Sequence, residues 1–124
     1  MDDGTLTITL PFPPSVNTYY RHVGFRTLIS REGRAYRRKV CAILRRLRVR
    51  PLEGRLEVTV VVRPPDLRRR DADNLLKCLL DSMQHGGAYV DDSQIRRLHV
   101  EMDDRAVPGG QVTVHIIPLV PTAA

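Results

Sequence analysis

Residues 66–92 read DLRRRDADNLLKCLLDSMQHGGAYVDD, and the rest of the chain is organised around them. Three consecutive arginines, Arg68, Arg69 and Arg70, abut two alternating aspartates, Asp71 and Asp73. A run with helical periodicity follows, from about Asp73 to His85. Leu76, Leu79, Leu80 and Met83 fall on one side of it and read as core. Asp73, Lys77 and Asp81 recur at i, i+4 and i+8, one polar stripe of the same helix. Gly86 and Gly87 end it as left-handed caps, and a second acid pair, Asp91 and Asp92, closes the stretch.

Carboxylates drawn together repel, so a chain tolerates such a cluster only if the groups stay solvated and apart or a cation joins them. Hard oxygen donors with no His or Cys beside them suit Mg²⁺ or Mn²⁺ rather than Zn²⁺. His85 is the nearest imidazole, and a glycine pair separates it from Asp91 and Asp92. Acid beside a positive run is what phosphodiester chemistry asks for. The guanidinium groups hold phosphates, and a metal polarises a phosphoryl oxygen and acidifies a bound water. There is a plainer reading. Asp71 or Asp73 could cap the helix N-terminus, and Asp91 and Asp92 could form an ordinary turn. That reading suits each aspartate singly, whereas RRRDADN, Lys77 and VDD together favour chemistry.

Upstream, Thr5 to Leu10 alternates polar and apolar residues, a half-buried strand ended by Pro11, Pro13 and Pro14. The loop Ser15 to His22 offers Asn17, Tyr20 and Arg21 to nucleic acid, since aromatic and guanidinium groups on loops meet sugars, phosphates and unstacked bases. Tyr19 and Tyr20 could equally pack beneath the loop, and His22 reads as surface. Phe25 to Ile29 is a short strand or extended arm. Ser30 caps a helix beginning near Arg31, with Tyr36, Val40, Ile43, Leu44 and Leu47 on its core face. Its other face carries Arg34, Arg37, Arg38, Lys39, Arg45, Arg46 and Arg48, and Pro51 and Gly54 close it. The β-branched run Arg55 to Val62 is the central strand, and Pro64 and Pro65 deliver the chain to the arginines. Downstream, Ile95 to Met102 and Gln111 to Ile117 are strands, with Gly109-Gly110 between them as a hairpin signal.

The chain has 124 residues, which suggests one domain over residues 1–124. Hydrophobic residues make up 42%, enough for a core, and with no Trp that core is aliphatic. The net charge of +6 points to a polyanionic partner. Cys41 and Cys78 form no disulfide framework and read as small buried hydrophobes of a reducing compartment. No stretch suits a membrane span. The opening MDD does not resemble a signal peptide, so the expected location is the cytoplasm. The element order β-α-β-α-β-β gives an α+β domain with two helices packed on one face of a mixed sheet.

RRRDADNLLK followed by a short helix and VDDSQI resembles the RusA family of Holliday-junction resolvases, as does the early PFPPSVNTYYRH. The similarity runs from about Thr5 to Val114 and departs from the family at Gly87-Ala88-Tyr89, where bulkier aromatics are expected. The resemblance implies a homodimeric, Mg²⁺-dependent endonuclease, with Mn²⁺ as a substitute, that cuts branched four-way DNA in recombination and repair. It makes Asp71, Asp73 and Asp92 the essential carboxylates, Lys77 the supporting cation and Asp91 a further acidic candidate ligand. Two other functions compete. A non-catalytic basic nucleic-acid-binding module explains the charge but not four aspartates around the arginines. A structure-blind metal-dependent nuclease explains both but not the resemblance. No Walker-type loop is present, which argues against an NTPase.

Overall fold

The computed structural model describes residues 4–119; the opening MDD and residues 120–124 lie outside them. Ten elements follow one another: β1 (Leu6–Pro11), α1 (Val16–Tyr19), β2 (Tyr20–Val23), β3 (Arg26–Ile29), α2 (Arg31–Arg46), β4 (Leu56–Arg63), α3 (Asp73–His85), the single-turn 3₁₀ helix Asp92–Gln94, β5 (Ile95–Met102) and β6 (Gln111–Pro118). The main sheet has the order β1-β6-β4-β5. β4 and β5 run parallel, with α3 as their crossover, and the other pairings are antiparallel. This is the expected α+β architecture on a mixed sheet.

Strand periodicity sets the layering. Ile8 and Leu10, Val112, Val114 and Ile116, and Leu56, Val58, Val60 and Val62 are buried on one sheet face. Tyr36, Val40 and Leu44 of α2 and Leu75, Cys78, Leu79 and Met83 of α3 join them in one core. Ser30 caps α2 as expected, its hydroxyl accepting from the Gly33 N–H at 3.0 Å. Cys78 is buried and Cys41 half-buried. Burial pushes the Cys78 thiol up to about 12, which suits packing rather than nucleophilic chemistry.

Four local expectations change. β5 and β6 are not a hairpin: they lie on opposite sides of β4, and residues 103–110 cross over its end. The Asp103 N–H donates to the Val62 carbonyl and the Val107 N–H to that of Pro64. Gly110 serves close approach, because a Cβ there would meet Phe12 at 2.8 Å. α2 stops at Arg46, and a left-handed residue, Arg48 (φ 56°), turns the chain before Pro51. At the end of α3 only Gly87 is left-handed (φ 89°); Gly86 has φ −81°. Finally, the expected loop Ser15 to His22 folds into α1 and β2, and β2 pairs with β3, the short strand expected within Phe25 to Ile29.

Candidate active site and nucleic-acid interface

The arginine run is shaped by Asp66. Its carboxylate accepts from the Arg68 backbone N–H at 2.9 Å, pairs with the Arg70 guanidinium at 2.9 Å and lies 3.2 Å from Nε of Arg68. The Arg70 hydrogen bond, then that of the Arg68 backbone, hold the Asp66 carboxyl well below the usual carboxylate range. Arg70 is further fixed over the Phe12 ring, 5.4 Å from its centroid, with its side chain only 17% exposed. Arg69 is exposed and pairs with no acid among the described residues. The three arginines therefore differ: Arg70 is built in, Arg68 leans on Asp66, and Arg69 is free to meet a phosphate. Phe12, Pro14 and Ser15 face Arg69, Arg70 and Asp71 across a cavity of about 760 Å³.

The capping alternative is answered at the start of α3. Its N-cap is Ala72, with no side-chain cap bond. Asp71 contributes only its backbone carbonyl, to the Asn74 N–H, and Asp73 sits exposed in the first turn. The second acid pair divides. Asp91 is the N-cap of the 3₁₀ turn: its carboxylate accepts from the Ser93 N–H at 3.0 Å, and Gln94 Oε1 accepts from the Asp91 N–H at 2.8 Å. Hydrogen bonding from Ser93 keeps the Asp91 carboxyl below its ordinary value. Asp92 engages only its backbone: its N–H donates to Gln84 Oε1 at 2.8 Å and its carbonyl accepts from the Ile95 N–H. Among the described residues the carboxylates of Asp71, Asp73 and Asp92, like that of Asp104, thus carry neither hydrogen bond nor ion pair, whereas those of Asp66, Asp81, Asp91 and Asp103 do.

Among the described residues no three carboxylate, imidazole or thiol groups gather as one ligand set. Asp71 and Asp73 stand at the first turn of α3, while Asp92 is tied through Gln84 to its last. Lys77, one turn after Asp73, is exposed and forms no ion pair among the described residues, though its charge helps to lower the Asp81 pKa. Asp81, the third member of that stripe, turns away to Arg37 of α2 and accepts from the Tyr19 hydroxyl. Burial works to raise the Asp81 pKa, but the hydrogen bonds from Tyr19 and Arg37 outweigh it and leave the carboxyl below its ordinary value. Burial, then the Asp81 hydrogen bond, push the Tyr19 hydroxyl well above the usual tyrosine range. This triad pins α1 against α2 and α3. No periodicity announces it, because its members come from three separate segments.

The remaining nucleic-acid candidates lie on that pinned segment. Asn17 on α1 and Arg21 on β2 are exposed. Tyr20 is half-buried, its ring edge-on to Tyr19 at 4.8 Å between centroids. On α2, Arg34, Arg38 and Arg45 line a basic groove with His85 of α3. The departure at Gly87-Ala88-Tyr89 is closed packing: Ala88 and Tyr89 are buried, and the Tyr89 hydroxyl donates to the Leu80 carbonyl at 2.6 Å.

Residues 11–117 match the family model for endodeoxyribonuclease RusA. The chain belongs to the RusA family. The crossover junction endodeoxyribonuclease rusA of Enterobacteria phage HK97 is 43% identical over 111 residues, 89% of this chain and 92% of the relative. The RusA protein of Escherichia coli strain K12 is 43% identical over 96 residues, 73% of this chain and 77% of its own. That of Enterobacteria phage 82 is 44% identical over the same shares. The resemblance carried by RRRDADNLLK and VDDSQI is thereby borne out, and it places the chain among phosphodiester-cleaving hydrolases.

Proposed function

We propose that this RusA-family chain is a Mg²⁺-dependent endodeoxyribonuclease that resolves four-way DNA junctions by paired incisions, as a cytoplasmic homodimer serving recombination and repair. The observation that carries the reading is the sorting of the acids. Among the described residues Asp66, Asp81 and Asp91 are engaged in holding the fold, and the carboxylates of Asp71, Asp73 and Asp92 are left without partners. Such carboxylates offer oxygen donors to a hard divalent ion, Asp71 and Asp73 beside the arginine run and Asp92 at the other end of α3, and Mn²⁺ would serve in place of Mg²⁺. When bound, such an ion polarises a phosphoryl oxygen and acidifies a water.

The chain's own groups do the rest. Arg69 holds a phosphate, while Arg70 and Arg68, braced by Asp66, fix the loop that carries it. Lys77 offsets negative charge that builds on phosphorus as the bond breaks. Asn17 and Arg21 extend the contact along the substrate, and Tyr20 supports them from beneath. Asp91 keeps its role as a cap and presents Asp92. Paired cuts in a two-fold symmetric junction require two such sites, which a two-fold dimer provides.

The test is incubation of the protein with a synthetic four-way junction and with sequence-matched linear duplex, each with Mg²⁺ or with EDTA. Paired nicks in the junction alone, and only with metal, are expected. Equal cutting of both substrates would identify a structure-blind nuclease. Tight junction binding without cleavage in any metal would identify a binding module. Light scattering should give twice the chain mass.

A further inference from the structure

The most exposed large apolar side chain among the described residues is Phe25, at 109% relative exposure. It occupies the tip of the β2–β3 hairpin. Val23 pairs with Arg26, so Gly24 and Phe25 form a two-residue turn. Gly24 has φ +61° and Phe25 has no positive φ. A left-handed glycine in the first position only is the pattern of a tight hairpin turn whose twist matches its strands. Phe25 is therefore held out by a short stiff connection and not by a floppy loop. Val23 and Leu28, 44% and 41% exposed, extend the apolar tip.

A fully solvated phenylalanine needs a reason, because contiguous apolar tips mark contact surfaces. The charge around it says what it contacts. The hairpin, YRHVGFRTLI, contains no acid. Arg21 and Arg26 are exposed and form no ion pair among the described residues. An aromatic tip between unneutralised guanidinium groups matches a base with its flanking phosphates: the ring stacks and the cations hold the backbone.

The base of the hairpin is as firmly built as its tip is open. The Ser30 N–H donates to the Tyr19 carbonyl at 2.8 Å, and Arg34 donates to that of Ile29 at 2.8 Å. Gly33 of α2 lies so close beneath that a Cβ would meet Tyr19 and Ile29 side-chain atoms at 2.7 and 2.8 Å. Ser15, which shares a cavity with Asp71, is separated from this base by α1, whose four residues advance the chain about 6 Å. Each arm then reaches about 13 Å further. A rigid arm thus leaves the neighbourhood of the acids and ends in an aromatic ring.

We propose that Phe25 is a stacking wedge: it inserts against an unstacked base at the branch point of the DNA while Arg21 and Arg26 clamp the adjoining phosphates. A branch point is where base stacking is already interrupted, so insertion there costs less than in continuous duplex. The wedge thereby supplies structure selectivity, separately from the chemistry at the acids. It rests on the junction reading above.

The experiment compares the full-length protein with Phe25→Ala and Phe25→Trp, in EDTA, on four-way junctions carrying 2-aminopurine at the branch point or within an arm. Binding of the wild type should change branch-point fluorescence and leave the arm probe unchanged. Phe25→Ala should lose that change and weaken junction binding by roughly tenfold, in line with one lost base stack, without altering affinity for linear duplex or circular dichroism. Phe25→Trp should restore both. Wild-type fluorescence and junction preference in Phe25→Ala would overturn the wedge, and so would a change in its mass by light scattering, which would make Phe25 a protein–protein contact. A wild type that binds junction and duplex equally would overturn both the junction reading and the wedge; loss of the wedge alone leaves wild-type preference intact.

Discussion

The two ends of α3 are built in opposite ways. At the C-terminal end the backbone is closed by specific partners. Gly87 takes the left-handed turn, the Ala88 N–H reaches back to the Met83 carbonyl, Tyr89 is buried with its hydroxyl on Leu80, and Gln84 takes the Asp92 N–H. At the N-terminal end Ala72 stands at the cap position with only its backbone carbonyl to offer, to the Leu75 N–H, although Asp71 and Asp73 flank it with capping side chains unused. Omitting a good cap sacrifices about 1 kcal/mol. That the chain caps the adjacent 3₁₀ turn with Asp91 but leaves Asp71 and Asp73 idle supports the proposal that those carboxylates act outside folding.

The sharpest way to break that comparison is to neutralise acids of each kind without changing their shape. Asp73→Asn and Asp92→Asn should lower junction cleavage by about 10³-fold or more, because a missing metal ligand removes charge stabilisation in the transition state. Metal-free junction binding should be retained or tightened. Asp91→Asn should retain cleavage within a few-fold, since asparagine caps nearly as well as aspartate. If Asp91→Asn proved as inactive as Asp92→Asn in single-turnover assays, the division of the pair into cap and ligand would be wrong.

The sequence announced this contrast only in part. The alternation in β1, β4 and β6 and the 3.6-residue spacing in α2 and α3 made the two-layer α+β core legible, since burial follows those periods. The acids were legible as a group, from their crowding beside arginines. Which of Asp91 and Asp92 caps the turn was not, because that depends on Gln94 folding back. Asp81 read as part of the Lys77 stripe for a similar reason: its partners Tyr19 and Arg37 lie 62 and 44 residues away. Gly109-Gly110 looked like a hairpin because local glycine chemistry cannot tell a tight turn from a close crossing, and the crossing over β4 is set by the strand order. The β2–β3 hairpin had turn chemistry at Gly24, but no run of alternation long enough to announce it.

The second test acts on the closed end. Gly87→Ala places a side chain where φ is +89° but has room for the new Cβ, whose nearest neighbour would be Pro51 at 3.7 Å. The loss is therefore backbone strain, about 1 kcal/mol of stability, visible as a lower urea midpoint. Cleavage per folded molecule should be unchanged. A loss of activity at full folding would mean that the closed end sets the geometry of Asp92 more directly than its Gln84 contact implies.

An effect of similar size, but dependent on pH, is expected at Asp81. Its folded pKa lies below the unfolded value, so its stabilisation is fully present above the unfolded carboxylate pKa, near 4, and is lost as pH falls through the lower folded value. Asp81→Asn should cost about 1 kcal/mol near neutral pH, discounted for the partial exposure of the pair. The gap between variant and wild type should narrow in denaturation curves below about pH 4. A gap independent of pH would mean that packing, and not the charged hydrogen bonds, holds α1 to α3.

The smallest expected change carries the contrast back to the open end, into the arginine run. Each phosphate neutralised contributes about 0.9 to the slope of log K against log salt. Arg69 is exposed and pairs with no acid, so Arg69→Ala should weaken junction binding and flatten that slope by about one unit or less. Its thermal stability should match the wild type. Arg70 carries the same formal charge, but it is only 17% exposed, is paired with Asp66 and lies over Phe12. Arg70→Ala removes packing as well as charge, so it should lower stability and leave Asp66 repelling the backbone of the DNA. The two substitutions therefore part on thermal denaturation while both weaken binding. Equal melting temperatures would show that Asp66 and Phe12 do not brace the loop, and an unchanged salt slope in Arg69→Ala would show that this free guanidinium points away from the DNA.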